Sequence, residues 1–191
     1  MHNEKQRYGR MKETSVNRSY IESGDYRRKF DMITESASLN RLIYEMAKKM
    51  LLHRSGTLIE DMCWIDAQSE TIIHYKDDEQ ENQQISHSES IDKKIHKVKD
   101  IIAIHTHPRS LPPSAEDFNC FVENKYTLGL IICHNGVIYG YTAKKNIDVR
   151  LWERYVDAAF EYSIEQVNIQ KIALNKFVDN GDIDYWEVDV L

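Results

Sequence analysis

The run Ile101-Ile102-Ala103-Ile104 constrains this chain more than any other stretch. Four apolar residues, three of them β-branched, read as a strand buried on both faces, which calls for a sheet with cover on each side. His105 and His107 follow at i and i+2. Strand side chains alternate, so both imidazoles project from one face and Thr106 from the other. Pro108 has no N–H for a ladder and should end the strand. A short Pro-rich loop leads to Ser114, which opens a helix with Asp117 in its first turn. Two imidazoles and a carboxylate at the mouth of a buried strand make a three-ligand set for a divalent metal, and catalytic zinc sites leave the fourth position to water. Helix capping is the competing explanation: Ser at the N-cap with an acid at N3 fits a capping box. Capping accounts for Ser114 and Asp117 but not for two histidines on one face of a hydrophobic strand, which would need partners if buried.

The pattern His105-x-His107-Pro108 … Ser114-x-x-Asp117 resembles the signature of the JAMM (JAB1/MPN+) metalloproteases. The spacer from Arg109 to Pro113 is five residues, one shorter than is usual in that family. The resemblance implies that His105, His107 and Asp117 bind Zn²⁺, that Ser114 helps to hold the oxyanion, and that an upstream glutamate is the general acid/base. It also implies an α/β architecture of the MPN type, related to cytidine deaminases: a mixed central sheet flanked by helices. A weaker likeness, carried by Arg54-Ser55-Gly56-Thr57 before Glu60-Asp61, is to small bacterial and phage-associated JAB-domain proteins.

Local patterns fill in the rest. Residues 1–34 read as a basic arm and lead-in: the first 30 residues hold eight Lys/Arg against four Asp/Glu, with little to bury before Tyr20-Ile21. Leu39, Leu42, Ile43, Met46 and Met50 fall on one face of a helix over 37–54, capped by Ser36 or Ser38 and followed by Gly56. Thr57 to Ile65 reads as a strand with Thr71 to Tyr75 as its hairpin partner. Leu58, Glu60, Met62 and Trp64 share one face of the first strand, and Ile59, Asp61, Cys63 and Ile65 the other. Glu60 takes the place of the family's catalytic glutamate, on a strand after the first core helix, although strand parity alone leaves Asp61 open. Residues 76–97 are polar, with a short helix expected near 89–97. A helix from Ala115 to Lys125 carries Asp117. A strand over Leu128–Cys133 turns at Asn135-Gly136 into Val137–Tyr141. Val149 to Phe177 reads as a long helix that breaks once, ahead of an acidic tail anchored by Trp186. The domain is thus expected over 35–148, with a C-terminal helix and tail over 149–191. His53, His74, His87 and His96 read as ordinary, His134 as a surface turn residue, and Cys120 as a small core residue rather than a ligand.

Composition narrows the function classes. Net charge −6 and the absence of a basic stripe argue against nucleic-acid binding. Cys63, Cys120 and Cys133 form no CxxC pair, so a disulfide framework is not expected and a reducing cytoplasm is the default. No apolar run approaches the length of a membrane span. A zinc deaminase would need H-x-E and P-C-x-x-C, which are absent. The expectation is therefore a zinc metallopeptidase acting on a peptide or protein substrate, ubiquitin-like modifiers among the class. The alternative is a non-catalytic MPN-like binding or structural module.

Overall fold

A computed structural model describes residues 12–80 and 88–189. The expectations for residues 1–11 and for His87 lie outside the described residues. Two short helices, α1 (Arg18–Ile21) and α2 (Gly24–Arg28), precede the long α3 (Ala37–Arg54). β1 (Met62–Asp66) and β2 (Thr71–Lys76) form a hairpin, α4 (Glu89–Ile95) follows, and β3 (Ile101–His107) carries the two histidines. Next come α5 (Ala115–Glu123), the hairpin β4 (Leu128–Cys133) and β5 (Ile138–Ala143), α6 (Val149–Ala159), α7 (Gln166–Asp179) and β6 (Ile183–Glu187). The six strands form one mixed sheet in the order β2-β1-β3-β4-β5-β6. Only the central β3–β4 pair is parallel. A parallel pair needs a crossover, and α5 supplies it. Among the described residues no helix is long and apolar enough to cross a membrane.

Strand alternation divides the core in two. Ile102, Ile104, Cys63 and Ile65 pack with Ile43, Ala47 and Met50 of α3 on one face of the sheet. Ala103, Met62 and Trp64 point the other way and pack with Phe118 of α5 and with Leu174 and Phe177 of α7. His105 and His107 continue the Ile101–Ala103 parity, so they emerge on the face covered by α5 and α7.

Several expectations change. The lead-in is part of the core: Ile21, Tyr26 and Phe30 are buried with α3, and the Phe30 ring packs edge-on against Tyr26 and against Tyr44. β1 starts at Met62, not Thr57. Gly56, at φ 77°, reverses the chain after α3, and the Thr57 hydroxyl donates to the Arg54 carbonyl, so residues 57–61 run as a connector. The long helix does break, between α6 and α7. The acidic end is no loose tail but a sixth strand, paired with β5 through Gly140↔Trp186. A Cβ on Gly140 would stand 2.4 Å from the Trp186 ring, which explains a glycine in mid-strand. His134 is not on the surface: it is 3% exposed, because the segment around Thr14 folds over it and the Thr14 carbonyl takes its Nδ1–H at 2.7 Å.

Candidate metal centre

β3 delivers two imidazoles to one point. The Nε2 atoms of His105 and His107 lie 3.0 Å apart. The chain then turns sharply at Ser110, in the left-handed region at φ 59°, and Ser114 caps α5. The capping box is real: the Ser114 hydroxyl accepts from the Asp117 N–H, and the Asp117 side chain accepts from the Ser114 N–H. The cap engages only one of the two carboxylate oxygens. Asp117 Oδ2 takes the Ser114 N–H at 2.7 Å and the Ser114 hydroxyl at 2.8 Å. Oδ1 faces His105 Nε2 at 3.1 Å, while Oδ2 is 3.7 Å from His107 Nε2.

The tautomer of His107 follows from its other nitrogen. Nδ1 lies 2.7 Å from the Leu111 carbonyl and must donate to it, which leaves the Nε2 lone pair facing Asp117 and His105. His105 Nδ1 is buried with no partner among the described residues. Burial would raise the Asp117 carboxyl, but the His105 and His107 imidazoles and the Ser114 N–H outweigh it and hold it well below the usual carboxylate range.

Glu60 reaches the same point from the connector before β1. The antiparallel pairing Met62↔His105 sets this approach. Glu60, His105 and His107 form a cluster that could hold a metal ion, with one ligand atom from each lying within 4.8 Å of the others. Glu60 is 8% exposed. Burial pushes its carboxyl up to about 7, with His107 pulling down and Asp117 pushing up.

Donor chemistry and spacing together test the fit to a metal. Zinc ligands at about 2.0–2.2 Å in a tetrahedron stand about 3.3 Å from one another. The separations of 3.0 Å between the two Nε2 atoms and 3.1 Å from His105 Nε2 to Asp117 Oδ1 lie close to that value. Two nitrogen lone pairs and one carboxylate oxygen suit a divalent first-row transition metal, zinc and iron among them. The cluster opens into a cavity of about 570 Å³.

The other residues singled out in the sequence are arranged differently. Asp61 points away from the cavity and is fully buried on the α3 face. Its carboxylate accepts from Arg54 Nε, from His53 Nδ1 at 2.7 Å and from the Tyr75 hydroxyl at 2.6 Å. His53, read as ordinary, therefore hydrogen-bonds a buried carboxylate. Cys120 does line the cavity, but its Sγ takes the Asn124 Nδ2–H at 3.3 Å and burial raises its thiol. Gln166 and Gln170 of α7 line the cavity too, and no sequence motif marks them. Comparison with protein-family models, with curated proteins and with solved structures found no match.

Proposed function

We propose that the chain is a zinc-dependent metallopeptidase of the JAMM type, hydrolysing peptide or isopeptide bonds. The observation that carries this reading is that His105 Nε2 stands 3.0 Å from His107 Nε2 and 3.1 Å from Asp117 Oδ1, in a cavity that also holds the buried carboxyl of Glu60, pushed up to about 7 by burial. His105, His107 and Asp117 would hold the ion. Bound zinc supplies a Lewis acid that polarises a carbonyl and lowers the pKa of water from 15.7 towards about 7. Glu60 takes a proton from the attacking water and passes it to the leaving amine. The products are a carboxylate and an amine. The Ser114 hydroxyl donates to Asp117 in the resting arrangement, so it fixes that ligand first and serves the oxyanion by turning away from it. The expected substrates are peptides or proteins, with ubiquitin-like modifiers within the class.

Zinc titration followed by elemental analysis of the desalted protein tests the site. One zinc per chain is expected in the wild type, and none in His107→Ala. A wild-type chain that takes up no zinc would overturn the reading.

Ser114→Ala separates support from chemistry. Loss of the cap should lower stability by about 1 kcal/mol. Loss of the hydrogen bond to Asp117 should weaken zinc binding by about 10–100-fold, the usual size for a group that orients a ligand. Thermal unfolding with and without zinc reads both effects, and unchanged zinc affinity would show that Asp117 does not depend on Ser114.

A further inference from the structure

The face of α7 that meets the sheet changes character along its length. From Ala173 through Leu174 to Phe177 it is apolar and buried in the core. One turn towards the N-terminus, and on the same side by helical spacing, stand Gln170 and then Gln166, where the helix lines the cavity. The apolar part anchors the helix, so the two carboxamides are held against the cavity by a rigid element. Gln170 Oε1 is buried and accepts no hydrogen bond among the described residues. Buried carboxamide oxygens are nearly always paired, so an unpaired one on a residue that lines a cavity marks the place of an absent donor.

Building on the metallopeptidase reading, we propose that Gln170 is a substrate-binding residue whose Oε1 accepts a main-chain N–H of the peptide lying in the cavity. The ligand class follows from the acceptor. A carboxamide oxygen has no proton to give, so it selects an N–H donor, which an extended peptide presents at alternate residues. Met62, Tyr126 and Tyr141 form the buried apolar part of the walls, beside the carboxylates of Glu60, Glu116 and Asp117. The C-terminal helices thus take part in the site instead of merely following the domain, and α7 sets how the peptide lies relative to Glu60.

The test uses the full chain and a pair of probes: an N-acetyl dipeptide methylamide, and its analogue with the central amide N–H replaced by an ester oxygen. Binding is followed by the side-chain amide signals of the glutamines in ¹⁵N spectra, in zinc-free and in zinc-loaded protein. The wild type should prefer the amide probe by about tenfold, the scale of one buried hydrogen bond. Gln170→Leu should reduce the preference to less than about twofold, Gln170→Glu should retain it through its own acceptor oxygen, and Gln166→Leu should leave it intact. The inference is overturned if the wild type shows no preference, or if Gln170→Leu keeps it. If the leucine variant does not fold, Gln170→Met replaces it under the same criterion. Zinc uptake is measured separately: a chain that prefers the amide but takes no zinc sinks the metallopeptidase reading alone, and a zinc-binding chain without the preference sinks this inference alone.

Discussion

Glu60→Gln is expected to keep one zinc per chain and a folded structure, and to lose about 10²–10⁴ of the wild-type rate on any peptide the wild type hydrolyses. Glutamine preserves the shape and one acceptor, but it cannot take a proton. The substitution therefore removes the transfer step and leaves His105, His107 and Asp117 in place. Zinc content measured beside initial rates distinguishes three cases. Zinc kept with activity lost assigns Glu60 as the base. Zinc lost means that Glu60 is a ligand, as its place in the cluster with the two histidines would also allow. Activity kept would remove Glu60 from the mechanism.

The same residue predicts a pH dependence in metal-free protein. The folded chain holds the Glu60 proton to about 7, against an ordinary value of 4.5. Between those two values the unfolded chain binds fewer protons than the folded one, so folding stability falls as pH rises. The full difference corresponds to about 3 kcal/mol. Urea unfolding of metal-free wild type should weaken from pH 4.5 to 7 by up to that amount, and the profile of Glu60→Gln should be flatter in this window. A wild-type curve no steeper than that of the variant would place the Glu60 carboxyl in a wetter setting than the structure gives it.

Asp61→Ala should be the most destabilising change near the site, at about 3–5 kcal/mol. It leaves Arg54, itself 6% exposed, with a buried charge that has lost its carboxylate. It also removes an acceptor from His53 and from the Tyr75 hydroxyl. Against the usual stability of about 5–15 kcal/mol, such a loss brings the chain close to unfolding. Asp61→Asn keeps an acceptor but not the charge and should fall between the alanine variant and the wild type. Strand parity alone suggests that a substitution of Asp61 spares activity, since it faces away from the cavity. The network adds that it does not spare the fold. Urea midpoints for both variants decide this, and a shift worth less than about 1 kcal/mol would mean that the network is not structural.

Glu60 and Asp61 show where local reading stops. Alternation along the chain puts them on opposite faces and makes one of them buried. Both are in fact buried, for different reasons: one beside a histidine pair, the other beside an arginine. Their surroundings come from α3, β2 and β3, at sequence separations that no local pattern encodes. Residues 57–61 depart from a strand for a similar reason. Apolar alternation suggested a strand, but the turn at Gly56 and the start of the β1–β3 ladder at Met62 left this stretch as a connector, with Glu60 free to reach the cavity.

Determined by the sequence alone were the buried strand Ile101–His107, the shared face of His105 and His107, the end of the strand at Pro108 and the cap that places Asp117 in the first turn of a helix. Each of these depends on backbone geometry within a few residues: a period of two, a missing N–H, and a side chain that caps its own helix. Tertiary structure alone decided that Glu60 closes the cluster, that the segment around Thr14 buries His134, that residues 183–187 add a sixth strand, and that Gln170 of α7 forms a wall of the cavity. These depend on which distant segments pack together. That choice is made by burying two apolar faces of one sheet at once, a property of the whole chain and not of any window within it.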